Sequence, residues 1–219
     1  LLYGLYALKR PELLPPELAS DPGAEPRCGT PIIEAVHRAW PELSPLVQEE
    51  MEVLLQPLEA SRCLASEEYP LSVCWISERA SGQAENVLRF AEEGWRVEVD
   101  ELGFYPPHRW LDGEAQEGQT LTITMTEGGV GGFCAREHSN SDTPWADYTT
   151  SITINEQNTT SGNRHTVPHE LNHAYVYDMM YRRELTDILR SRTPLWVMEG
   201  LGEYTSLGWD TASEIEFRD

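Results

Sequence analysis

The pentad His169-Glu170-Leu171-Asn172-His173 constrains this chain more than any other feature of its sequence. Two imidazoles at i and i+4 share one face of a helix, about 6 Å apart. Each can offer a ring nitrogen to one metal ion at about 2.0–2.1 Å. Glu170 stands on the same side, too near to ligate and well placed to hold a metal-activated water. The pattern works only on a helix, so the fold must supply one here. The surrounding sequence agrees. Val167 to Arg190 is the strongest helical stretch in the chain, and Pro168 suits its first turn. Before it come a β-branched run, Thr149–Asn155, that reads as a strand, and a polar loop over 156–166. The bland alternative for such a histidine pair is solvated decoration of a surface helix.

A catalytic zinc site needs a third protein ligand and an open position. Position 179 is Met179 and position 176 is Val176, so the HExxHxxGxxH pattern is absent. Downstream stands Trp196-Val197-Met198-Glu199-Gly200-Leu201-Gly202-Glu203-Tyr204, on a helix opened by Thr193-Pro194 and running to about Leu207. Glu199 is the candidate third metal ligand. Glu203, one turn on and on the same face, can accept the free N–H of a ligand histidine and fix its tautomer. A solvated glutamate pair is the alternative.

HELNH followed by WVMEGLGEY resembles the gluzincin branch of the HExxH zinc metallopeptidases, in the broad peptidase-MA-like group. The likeness covers about residues 145–207. It implies an α+β, zincin-like catalytic domain: a small mixed sheet plus an active-site helix. It implies zinc as cofactor, held by His169, His173 and Glu199, with Glu170 as general base and Glu203 behind a ligand histidine. The strand at 149–155 would be the sheet edge that pairs with extended substrate. The oxyanion donor in such enzymes is a Tyr or His from further downstream. Here the nearby candidates are Tyr204, Tyr175, Tyr177 and His165, of which Tyr204 and His165 are retained as oxyanion or substrate contacts. The chain reaches only Asp219, which implies a short or missing C-terminal subdomain. Competing functions are an inactive zincin-fold binding module and a zinc hydrolase of a non-peptide bond.

Residues 1–68 read as a small helical N-terminal module and 69–219 as the catalytic domain. Pro11, Pro15, Pro16, Pro22, Pro26 and Pro31 make 11–31 an extended connector. Helical spacing follows over Ile32–Trp40 and Leu46–Leu55. Tyr69–Trp75 opens the main body. Glu85–Leu102 reads as one long helix ended by Gly103 and Pro106, although Val97–Asp100 alternates like a strand. Leu121–Met125 is a half-buried strand. Gly128–Gly132 reads as a flexible turn, because neither a GxGxxG context nor a phosphate-binding lysine accompanies it.

Pro26-Arg27-Cys28-Gly29-Thr30-Pro31 is similar to the cysteine switch of matrix metalloproteinase propeptides. That likeness implies a prosegment whose Cys28 thiolate takes the fourth zinc position. The competing reading is a disulfide. The four cysteines, Cys28, Cys63, Cys74 and Cys134, include no CxxC pair, and their even number fits two disulfides in an oxidising compartment.

Thirty-seven acidic against 16 basic residues give a net charge of −21. Such a chain repels phosphate backbones and anionic membrane surfaces, so neither nucleic acid nor a membrane is an expected partner; the gluzincin likeness implies a peptide or protein substrate. No apolar run is long enough to span a bilayer. The N-terminal LLYGLYALKR has its charges after its apolar stretch, unlike a signal peptide. A start without Met suggests that an upstream piece was removed. The even cysteine count in an acidic, lysine-poor chain makes secretion the expected destination. The isolated His37, His108 and His138 are expected to be packing residues.

Overall fold

Short runs of apolar and β-branched residues build a mixed five-stranded sheet in this chain, for which the structure is a computed structural model. It describes residues 1–15, 17, 28–55, 60, 62–107, 109–111, 114–116, 118–127, 131–137, 149–182 and 194–207. The strands are β1 (Arg62–Ala65), β2 (Leu71–Trp75), β3 (Arg109–Leu111), β4 (Glu114–Gln116), β5 (Leu121–Thr126), β6 (Gly132–Glu137) and β7 (Thr149–Asn155). The main sheet has the order β1-β2-β5-β7-β6, and β3 and β4 pair separately. Strands β2, β5 and β7 are mutually parallel; β1 and β6 close the two ends antiparallel. The sequence reading found β5 and β7 as strands and missed β1, β3, β4 and β6, with β2 lying in the stretch read only as the start of the main body; β1 begins the sheet ahead of residue 69.

The helices are α1 (Leu2–Lys9), α2 (Thr30–Ala39), α3 (Pro45–Leu55), α4 (Ser81–Trp95), α5 (Thr160–Arg182) and α6 (Leu195–Leu207). The fold class is α+β, as expected. Helices α4 and α5 cover one sheet face. Val73, Ile123, Met125, Ile152 and Ile154 from the strands meet Val87, Ala91, Trp95, Val167, Leu171 and Ala174 from the helices. Burying each large apolar side chain there contributes about 1.5–3 kcal/mol. The other face of β6 carries Phe133 and Ala135, which complete a second core with Leu5, Leu8, Ile33, Val36, Met51 and Leu54. The N-terminal helices therefore share a core with the sheet.

Four sequence expectations need correction. Strand β7 is not the sheet edge: β5 and β6 flank it, and the edge beside it is β6. Thr150 and Thr153 are buried, and Thr153 pairs with Phe133 on the face that the N-terminal helices cover. The polar stretch ahead of Pro168 is helix rather than loop, because α5 begins at Thr160 and carries Pro168 inside it. Polar side chains there are buried by pairing with one another. Asn163 is fully buried, donates to Gln83 Oε1 at 3.0 Å and accepts from Asn158 Nδ2 at 3.0 Å. Residues 11–31 are not extended throughout, since Pro11–Leu13 form a 3-10 turn and α2 starts at Thr30. Finally, Cys63 and Cys74, register partners across β1 and β2, form a disulfide, whereas Cys28 and Cys134 are thiols. One pairing therefore replaces the two expected.

The long helix expected to end at Gly103 is seen as α4 continued by a π-helical turn, Arg96–Glu101, which absorbs the strand-like Val97–Asp100. Gly103 follows with φ +75, a left-handed conformation that favours glycine. The C-terminal part of the expected 167–190 helix and much of 128–131 lie outside the described residues. Among the described residues, no helix is long and apolar enough to cross a membrane.

Candidate metal centre

Helix α5 is seated from two sides. Gly94 of α4 lets it approach closely: a Cβ there would stand 3.0 Å from Leu171 Cδ1. Behind it, Asn172 Nδ2 donates to the buried Glu98 Oε2 at 2.7 Å. The π-helical turn brings Glu98 to that contact. Burial pushes the Glu98 carboxyl up to about 8, with the Asn172 bond pulling the other way. So anchored, α5 presents His169, Glu170 and His173, all buried, toward α6 and α2.

The donor atoms converge. His169 Nε2 and His173 Nε2 stand 3.1 Å apart. Glu199 of α6 places Oε2 3.4 Å from His169 Nε2 and Oε1 3.5 Å from His173 Nε2. Cys28 brings its sulfur 3.6 Å from His173 Nε2 and 3.9 Å from Glu199 Oε1. Four tetrahedral zinc ligands bonded at about 2.0–2.1 Å (2.3 Å for sulfur) stand ~3.3 Å apart, or ~3.6 Å where one is sulfur. The measured spacings match that pattern to within a few tenths of an ångström. A hydrogen bond between the two imidazoles would account for the 3.1 Å alone, but not for two further donors around the same point.

Glu170, the fifth polar group, is fully buried, and among the described residues no hydrogen-bond partner meets its Oε1. Its Oε2 accepts a hydrogen bond from Thr30 Oγ1 at 3.1 Å. Burial pushes Glu170 up to about 7, against the opposing pull of His169, Cys28 and Thr30. For His169, burial lowers the pKa, but Glu199, Glu170 and Glu203 outweigh it and the net shift is upward. His173, buried and beside His169, falls well below the ordinary histidine range. Burial and the Glu170 and Glu199 carboxylates push the Cys28 thiol up. These are the tendencies of the side chains alone; a cation at the centre would favour neutral imidazole and thiolate.

Glu203 lies one turn beyond Glu199. Its Oε1 is 3.4 Å from His169 Nδ1 and 3.4 Å from His165 Nε2, ion-pair distances without the alignment of a hydrogen bond at His169. It thus stands behind His169, on the ring nitrogen that faces away from the cluster. His165 joins the site only through Glu203 and through its ring, 5.9 Å from that of His169. Tyr204 is 63% exposed, with no described contact to the donor cluster. Tyr175 and Tyr177 are buried: the former packs edge-on against Trp95, the latter donates to Glu34 Oε1 at 2.8 Å.

Two participants were not singled out from the sequence. Gly202 must be small, because a Cβ there would stand 2.9 Å from His169 Nδ1. Its signal was its place between Glu199 and Glu203, on the face that α6 turns to the histidines. Thr30 gave no signal beyond its nearness to Cys28. Comparison with family models, with curated proteins and with solved structures returned no match.

Proposed function

We propose that this chain is a secreted, zincin-like zinc metallopeptidase, with His169, His173 and Glu199 as metal ligands and Glu170 as general base. The observation that carries this reading is the convergence of two imidazoles and a carboxylate at ligand spacing beside a buried, non-ligating carboxyl. The donor set of nitrogen, carboxylate oxygen and sulfur favours zinc over hard cations such as magnesium or calcium. Bound there, zinc would lower the pKa of water towards 7 and polarise a carbonyl.

The chain's own groups supply the rest. Glu170 Oε1, which accepts no hydrogen bond among the described residues, is the oxygen that takes the proton of the attacking water and returns it to the leaving amine. Burial raises this carboxyl above the ordinary carboxylate range, which helps it keep a proton for the leaving amine. Glu203, 3.4 Å behind His169 Nδ1, favours the ring orientation that turns Nε2 toward the donor cluster. The edge strand β6 offers main-chain groups for an extended peptide beside the site. The disulfide and the absence of a membrane-crossing helix among the described residues support secretion.

The test uses a Cys28→Ala chain, whose fourth donor place is open. It is expected to hold one zinc and to hydrolyse fluorescently labelled casein. A chelator should abolish turnover, and added zinc should restore it. Adding Glu170→Gln should leave the metal in place and lower turnover by about 10²–10⁴. Turnover that survives metal removal, or a purified chain that takes up no zinc, would end this reading.

A further inference from the structure

The donor cluster has a fourth member from outside the catalytic helices. Cys28 precedes α2, and its main chain bridges Gly132 of the edge strand in parallel. Gly29 N donates to Gly132 O at 2.8 Å, so this segment occupies a main-chain acceptor on the strand an extended peptide would use. Gly132 has no room for a side chain: a Cβ would stand 2.7 Å from Thr166 Cγ2. The next residue, Thr30, is fully buried. Its hydroxyl accepts from Cys134 N at 2.9 Å and donates to Glu170 Oε2 at 3.1 Å. One turn along α2, Glu34 accepts from Tyr177 of α5. Beyond that, the N-terminal helices bury Ile33 and Val36 against Phe133 of β6.

We propose that Cys28–Thr30 form a built-in inhibitor of this site. Cys28 sulfur serves as the fourth metal ligand, Thr30 caps the general base, and Gly29 sits on the edge strand. The shared core of Leu5, Leu8, Ile33, Val36 and Phe133 holds the segment in place. The inference rests on the hydrolytic reading of the centre and deepens it. A merely structural four-ligand zinc site accounts for Cys28. It gives no reason for a buried carboxyl beside the metal with a threonine hydroxyl drawn onto it.

The test separates the two readings. Cobalt is loaded into the full chain in place of zinc, and the near-ultraviolet sulfur-to-cobalt charge-transfer absorption is recorded. It should be present in the parent chain and in Cys134→Ala, and lost in both Cys28→Ala and Cys28→Ser. In parallel, the zinc-loaded chains are given labelled casein. Cys28→Ala should turn over at least about tenfold faster than the parent, and Thr30→Val should raise turnover less, because it uncaps Glu170 without opening the metal. Absence of the sulfur absorption overturns the inhibitor. So does a parent chain as active as Cys28→Ala, an outcome that leaves the peptidase reading standing. If the absorption is present and every chain is silent, the centre is a closed structural site, and both readings fail. Using both Cys28→Ala and Cys28→Ser guards against one replacement that does not fold.

Discussion

On the side of α5 that faces α6, His169 and His173 point their Nε2 atoms at one place, and Glu199 and Cys28 aim at it from two other elements. On the side that faces α4, Asn172 reaches Glu98, and the Tyr175 hydroxyl has no hydrogen-bond partner among the described residues. Burial does not distinguish the sides: all these α5 residues are buried, and both Glu98 and Glu170 are carboxyls pushed upward by burial. What differs is convergence. The rear group consumes its main hydrogen bond in one amide–carboxyl pair and anchors the helix. The front group gathers four potential ligand atoms, from Cys28, His169, His173 and Glu199, within 4.8 Å of one another. A buried polar residue is thus a candidate for chemistry when several elements bring donors to the same point.

Replacing one residue from each side gives the sharpest contrast. His173→Ala should abolish stoichiometric zinc binding, read by metal analysis after dialysis. Asn172→Ala, one residue away, should leave zinc stoichiometric and instead cost about 1–3 kcal/mol in denaturant unfolding, because Glu98 loses its partner. If Asn172→Ala also emptied the metal centre, the two sides would not be separable and the rear pair would have to be counted part of the site.

A smaller effect is expected at Gly202. In Gly202→Ala the new methyl would meet His169 Nδ1 at 2.9 Å and tilt the ring away from Glu203. Zinc affinity should fall about 10–100-fold, the range typical of disturbed support behind a ligand histidine. Competition with a chromophoric chelator would read it. An unchanged affinity would mean that α6 can retreat without cost, and that Glu203 contributes nothing to the orientation of His169.

The front of α5 was legible in the sequence because its geometry is local. Two histidines at i and i+4 must share a helix face, and Glu199 with Glu203 must share another. The α+β class came with the family likeness, and local pattern supported it: the alternation of Leu121–Met125, the β-branched run Thr149–Asn155 and the helical spacing of Glu85–Leu102. Long-range pairing was not legible. Nothing in Thr149–Asn155 tells whether one neighbour or two will flank it, and β6 hides behind a glycine-rich run. Asn163 looks like loop in the sequence because its burial is offset by a hydrogen bond it donates to Gln83, distant in sequence, and one it accepts from the nearby Asn158. The proline-flanked Cys28 was visible as a motif. That Thr30 reaches Glu170 follows only from how α2 packs on β6.

The rear carboxyl allows the finest test. Glu98 has its pKa raised from 4.5 to about 8 by burial. The folded chain therefore binds this proton more tightly than the unfolded chain does. Between those two values the native state holds more protons, so this group makes stability fall as pH rises from about 4.5 to about 8, and adds no further slope above it. Glu98→Gln keeps an acceptor for Asn172 Nδ2 and carries no titrating proton. Urea unfolding of parent and variant at about pH 5 and about pH 8, with identical metal loading, isolates the contribution. Glu170 titrates in both chains and cancels in the difference. The variant should lose less stability across that interval, by about 1–2 kcal/mol, a fraction of the full linkage because a charged Glu98 would draw in water and relax. Metal content should not change. Equal pH slopes in the two chains would show that Glu98 is ionised in the fold at neutral pH, and the rear of α5 would then carry a buried charge as the front does.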